Sequence, residues 1–178
     1  MNDDLALVDA LLKGNEEAMQ EVYSRYSKDV WVFLRHYVND PRLCEEIRDD
    51  VFVDVWRSAS KYRAQGSLKS WIFGIARHRA LDAMAQGREL APLAPDLAVP
   101  DGSDPERAVL RLEEMQQFSK ALQALEEDHR TVLLMAFVGD LSYADIGRAV
   151  GCPENTVKTR VFYARKKLRE LLPGKHHE

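Results

Sequence analysis

Two cysteines in 178 residues, Cys44 and Cys152, are too few for a disulfide-stapled secreted scaffold and point to a reducing compartment. No apolar run approaches the roughly 18 residues that a membrane-spanning helix needs. The opening residues Met1-Asn2-Asp3-Asp4 are acidic where a secretory signal is basic. Membrane insertion and export by that route are excluded, and a cytoplasmic protein is expected. Alternation of apolar and polar residues never runs far, so strands are not expected. The residue sets of catalysis are missing as well. The five histidines show no HExxH spacing, the cysteines form no CxxC, and no glycine-rich phosphate loop is present. Neither an enzyme nor a resident metal or cofactor is expected.

What remains is a chain 46% apolar and 30% charged, the profile of a soluble globular protein with enough apolar residues for a core or two. Helical spacing of apolar residues runs throughout, so the fold is read as all-α. Residues 88–105 hold four of the seven prolines, Pro92, Pro95, Pro100 and Pro105, together with four acids. Proline denies helix and favours extended backbone, so this stretch reads as an acidic linker between helical domains at 1–87 and 106–178. Leu5, Leu11 and Leu12 fall in a short first helix. Asn15 is placed to cap a long helix from about Glu16 to Val38, which Asn39-Asp40-Pro41 breaks. Further helices are expected over about 41–62 and, capped by Ser67, 67–86. Beyond the linker they fall near 106–125, 128–138, 142–150 and 154–172.

Residues 142–161, SYADIGRAVGCPENTVKTRV, have the layout of a helix-turn-helix. Ile146 and Val150 form an inner face, and Gly147 is small where the second helix approaches. Gly151 can take the positive φ of the turn, and Pro153 suits the start of the next helix. On that helix Val157, Val161, Ala164, Leu168 and Leu171 share one stripe, read as buried. Asn155, Lys158, Thr159, Phe162, Lys166 and Arg169 lie opposite, with Tyr163 and Arg165 at the margins. Residues 154–175 carry seven Lys/Arg against two Glu. Such a face suits the major groove, with amide and cationic groups for base edges and phosphates. A plain solvated helix is the alternative, but it has no need to expose Phe162 and Tyr163.

The first half holds two opposed charge patches. Residues 40–54 carry six carboxylates and two arginines. Glu46, Asp49, Asp50, Asp54 and Arg57 share a helix face with Val53, which reads either as a solvated surface or as a dock for a basic protein. Like charges four apart weaken a helix slightly, and a partner would offset that. Residues 57–88 are the reverse, with seven cations against Asp82, and Tyr62, Trp71 and Phe73 interleaved. Cations with aromatics suit single-stranded nucleic acid. Core packing is the alternative; it is favoured for Trp71, and contact with nucleic acid for Phe73 and the Lys61–Lys69 loop.

Three stretches, CEEIRDDVFVDVW (44–56), KYRAQGSLKSWIFGIARHRALDA (61–83) and ALEEDHRTVLLMAFVGDLSYADIGRAVGCPENTVKTRVFYARKKL (124–168), together resemble the extracytoplasmic-function group of bacterial sigma factors. The likeness spans nearly the whole chain. It implies a region 2 helical bundle and a region 4 helix-turn-helix joined by the linker, with no enzymatic activity of their own. It implies that Glu46, Asp49, Asp50, Val53, Asp54 and Arg57 dock on the largest subunit of core RNA polymerase. Lys61, Tyr62, Arg63, Lys69, Phe73, Arg77, His78 and Arg79 would capture the melted −10 element of promoter DNA. The duplex −35 element would be read by Lys158, Thr159, Phe162 and Tyr163, with Glu154, Asn155, Thr156 and Lys166 beside them. Arg148, Arg160 and Arg165 would hold phosphates. An inhibitory anti-sigma partner is implied too. The chain departs from the family pattern at Asp49, often glutamine, at Glu126, often proline, and at Asn155, often glycine. A stand-alone helix-turn-helix regulator is the alternative, but it leaves both patches of the first half idle. Because each half is nearly neutral in sum, the free chain is expected to bind DNA poorly.

Overall fold

Capping side chains start several of the helices. Asn15 accepts from the Ala18 amide at 3.1 Å, Asp40 accepts from the Arg42 amide at 2.9 Å with Pro41 in the first helical position, and Ser67 Oγ accepts from the Ser70 amide at 3.1 Å. Each satisfies a backbone donor that the helix itself leaves orphaned. In this computed structural model, which describes residues 2–87 and 105–172, the helices are α1 (Asn2–Leu12), α2 (Glu16–Arg35), α3 (Pro41–Ser58), α4 (Leu68–Ala85), α5 (Pro105–Gln123), α6 (Glu127–Phe137), α7 (Tyr143–Val150) and α8 (Glu154–Leu171). No strand occurs among the described residues. The expected linker lies almost wholly outside them, apart from Pro105, which opens α5.

Two boundaries differ from expectation for local reasons. The α3 helix ends at Ser58 and passes into a 3₁₀ turn at Ala59–Lys61, with Tyr62 already extended. The α2 helix stops at Arg35, where the last turn closes through the His36 and Tyr37 amides and the Arg35 guanidinium donates to the carbonyls of Val38 and Asn39.

The first four helices bury Val22, Phe33, Val51, Val55, Ile72 and Ala76 in a common centre, and α5–α8 bury Leu122, Val132, Met135, Ile146, Val157 and Val161. These are one continuous core. Helix α4 joins them, packing on α3 along one side and on α7 along the other. At the seam Tyr37 and Thr131 share a buried hydroxyl–hydroxyl hydrogen bond of 2.6 Å, and the Arg130 guanidinium lies 5.3 Å from the Tyr37 ring centre. Burial pushes the Tyr37 phenol up to about 12, so it stays protonated.

Candidate nucleic-acid interface

The helix-turn-helix forms as its residues require. Ser142 caps α7 by accepting from the Asp145 amide at 3.1 Å, and Asp145 accepts in return from Ser142 Oγ at 3.0 Å. Gly151 closes the helix at φ 73°, a left-handed conformation that glycine adopts without a Cβ penalty. A Cβ on Gly147 would stand 2.6 Å from the Cys152 carbonyl, so only glycine lets the turn fold this close. Pro153 is the cap residue of α8, immediately before the helix starts at Glu154 as expected. Val157, Val161 and Ala164 are buried as the stripe requires. Leu171, expected at the end of that stripe, is 38% exposed, because it is the last residue of α8.

The opposite face of α8 is open. Phe162 and Tyr163 are 64% and 51% exposed, with ring centres 5.5 Å apart at 78°. Asn155, Lys158, Thr159, Arg165 and Lys166 are exposed around them, and Thr156 is half-buried. Glu154 holds Lys158 at 2.8 Å, and Thr159 Oγ1 donates to the Asn155 carbonyl at 2.9 Å. Arg165 stacks 4.8 Å from the ring centre of Phe137, itself 60% exposed. Phe137 was missed in the sequence because its helical phase resembles that of a core residue. Arg148 pairs with Asp145 at 2.9 Å. Arg160 is turned inward, half-buried, with its guanidinium 2.5 Å from Asp128 and 3.8 Å from the Cys152 sulfur.

On α3, Glu46, Asp49, Asp50 and Arg57 are exposed, and Val53 is 42% exposed among them. Asp49 accepts from the Tyr23 hydroxyl at 3.1 Å and from Arg48. Asp54 is set deeper. It takes the Arg79 Nε hydrogen bond at 2.6 Å, while Asp50 stands 3.7 Å from the same guanidinium. The hydrogen bond to Asp54 raises the Arg79 pKa further. Two patches expected to face different partners thus meet at Arg79.

The basic patch surrounds an open groove of about 810 Å³ lined by Lys61, Tyr62, Arg63, Trp71, Arg77 and His78 on the first half and by Arg148 on the second. Lys61, Arg63 and His78 are exposed. The Tyr62 ring lies 5.5 Å from Trp71 and its hydroxyl donates to the Gly66 carbonyl at 2.7 Å. Trp71 is half-buried against the core, as expected. Phe73 corrects the expectation of contact with nucleic acid. It has no exposed surface, since it lies on the same side of α4 as Ile72 and Ala76 with its ring centre 5.3 Å from Phe33. Lys69 bridges to Asp29 at 2.8 Å over the Phe73 ring, and Arg77 bridges to Glu127 at 3.4 Å.

No cluster of three or more potential metal ligands occurs among the described residues. Burial pushes the Cys44 thiol up to about 12, so it is not a thiolate nucleophile at neutral pH. No described helix is long and apolar enough to cross a membrane.

Two family models match this architecture, Sigma-70 region 2 over residues 22–89 and Sigma-70 region 4 over residues 115–168. The chain is 31% identical to the ECF RNA polymerase sigma factor RpoE of Cereibacter sphaeroides, over 94% of this chain and 94% of that protein. It is 27% identical to the RNA polymerase sigma-H factor of Pseudomonas aeruginosa, over 95% of this chain and 93% of that one. Its fold matches CnrH, solved in complex with the cytosolic domain of CnrY, with a TM-score of 0.71 at 21% identity, over 94% and 96% of the two chains. The chain belongs to the extracytoplasmic-function group of the sigma-70 family. It is a sigma factor, a protein that directs the initiation of transcription by RNA polymerase.

Proposed function

We propose that the exposed acidic face of α3 captures core RNA polymerase while the open face of α8 selects the promoter. The observation that carries this is the contrast in exposed chemistry. Glu46, Asp49, Asp50 and Val53 form an acidic surface with an apolar centre, and Lys158, Thr159, Phe162, Tyr163 and Lys166 form a cationic and aromatic one. An acidic face complements a basic surface and fixes its register. The cations and hydroxyl of α8 suit the donor and acceptor pattern of the major groove at −35, and its aromatic rings offer apolar contact with thymine methyls.

The groove beside α4 receives the melted −10 strand. Unpairing a base costs a few kcal/mol, which stacking and backbone charge offset. The half-buried Tyr62–Trp71 pair supplies the stacking in place of Phe73, and Lys61 and Arg63, with the polar His78 beside them, supply the charge. Arg57 stands between this groove and the α3 face and serves either contact. The domain boundaries follow from the same reading, with −10 recognition in 1–87, the acidic stretch 88–105 as connector and −35 recognition in 106–178. The polymerase makes the phosphodiester bonds, so the chain needs neither catalytic residues nor a cofactor, and it works in the cytoplasm. An anti-sigma protein that covers the α3 and α8 faces would silence both functions together.

The test is run-off transcription with purified core polymerase over a set of promoters. The chain should start RNA synthesis at a subset of them. Failure to start at any would overturn the reading, and tight binding to a two-fold duplex without polymerase would favour a stand-alone regulator.

A further inference from the structure

We propose that Phe137 is a positioning residue for promoter binding: its exposed ring holds the Arg165 guanidinium, without neutralising it, where it clamps a backbone phosphate of the −35 duplex. This rests on the −35 reading of α8 above and deepens it, because it brings a residue of α6 into promoter recognition.

Phe137 is the last residue of α6, and α6 packs along α8. Leu133 and Leu134, one turn back, are buried, whereas Phe137 stays 60% exposed at the helix end. The core therefore gains little from so large an apolar ring there. What the ring does touch is a cation. The guanidinium carbon of Arg165 lies over it, 4.8 Å from its centre. Arg165 is itself exposed, at the margin of the open face of α8. The pair thus stands at the edge of the surface that meets the promoter.

The neighbouring cations are held differently. Lys158 is paired with Glu154 at 2.8 Å and Arg148 with Asp145 at 2.9 Å. Arg160 is paired at 2.5 Å with Asp128, which also stands 3.8 Å from Arg77. Each of these must leave a carboxylate before it meets a phosphate, so the pair that breaks offsets part of the new attraction. Arg165 has no carboxylate partner among the described residues.

An aromatic ring attracts a cation through its quadrupole and has no lone pair to take an N–H. All five guanidinium donors therefore stay available, in the fork that grips a phosphate through two oxygens. The contact also orders a side chain rich in rotamers, so less entropy is lost when the phosphate arrives. Ring and phosphate act together rather than in competition. Phosphates carry no base identity. Loss of the ring should accordingly weaken every −35 sequence alike, unlike loss of a side chain that reads a base.

The test measures binding of the holoenzyme, the chain assembled with core polymerase, to labelled promoter duplexes of several −35 sequences over a range of salt. F137L keeps apolar bulk and removes the ring, F137Y keeps the ring, and R165A removes the cation. F137L should weaken binding about two- to fivefold at every sequence, and F137Y should bind within about 1.5-fold of wild type. R165A should weaken binding at least as much and lower the salt slope by about one. F137L/R165A should bind no worse than R165A, because the ring acts only through the cation. F137L should keep its thermal midpoint within about 2 °C of wild type, as expected for an exposed side chain. Wild-type affinity in F137L, a further loss from F137L in the R165A background, or a loss that F137Y shares would each overturn the role. So would a loss confined to some −35 sequences, an unchanged salt slope in R165A, or a larger fall in the F137L midpoint. Run-off transcription keeps the two readings apart. If wild type transcribes and F137L binds promoters as wild type does, the positioning role alone fails; if wild type starts no RNA, the −35 reading fails with it.

Discussion

Helices α4 and α8 enter the fold from segments of nearly equal positive charge and use that charge in opposite ways. On α4 the cations turn back onto the protein, Lys69 to Asp29, Arg77 to Glu127 and Arg79 to Asp54, and the aromatic Phe73 is buried. On α8 most of the charges and both rings face outward, and Lys158 is held by Glu154 one turn away on its own helix. A count of lysines and arginines therefore overstates what α4 can offer a ligand and describes α8 fairly. The cause is topological. The α4 helix lies between α3 and α7, with acids from both halves around it, whereas α8 packs along one stripe and leaves the rest in solvent.

Four measurements would break or sharpen that contrast. The largest effect is expected from F73A. Losing a fully buried ring should cost about 3–5 kcal/mol of stability in denaturant unfolding, whereas F162A on α8 should change stability by less than about 0.5 kcal/mol. A small effect of F73A would restore Phe73 to the surface role first expected of it. Next, E46Q/D49N/D50N should weaken capture of core polymerase by about tenfold or more at every promoter, read by competition against another sigma factor. These three are chosen over Asp54 because Asp54 takes the Arg79 Nε hydrogen bond at 2.6 Å, whereas Asp50 stands 3.7 Å from that guanidinium.

Third, K158A should lower run-off activity by about five- to a hundredfold at promoters whose −35 base it contacts, and little elsewhere. A uniform loss would mean that Lys158 meets only phosphate. The smallest effect concerns pH. His36, at the end of α2, is pushed down to about 4 by burial and by the neighbouring Arg130 and Arg35 charges. The unfolded chain therefore binds a proton there that the folded chain refuses. The resulting stability is present above the ordinary histidine value of about 6.5 and is lost as pH falls toward 4. Between pH 7 and about pH 5.5 wild type should lose about 1 kcal/mol more than H36Q in parallel thermal melts.

Much of this was legible beforehand because it is local. Asn15, Ser67 and Gly151 announce caps and a turn through chemistry confined to a few residues, and the Val157–Val161–Ala164 stripe follows from helical period alone. The open face of α8 follows from the same stripe. What stayed hidden depends on contacts distant in sequence. Phe73 sits among arginines and resembles a stacking residue until Phe33 and Gly139 are placed around it. Arg77 and Arg160 look alike available until Asp128 is found between them. Leu171 keeps the helical phase of the core but is the last residue of α8, where it stays exposed.

The central claim is that polymerase capture and promoter choice are carried by separate helices. Run-off transcription over a library of randomised −35 elements, with polymerase affinity measured in parallel, tests it for K158A and for E46Q/D49N/D50N. K158A should reorder promoter preference at unchanged polymerase affinity, and the α3 variant should lower output at all promoters while keeping their order. If both variants reorder the promoters, or both weaken polymerase binding alike, that separation is contradicted.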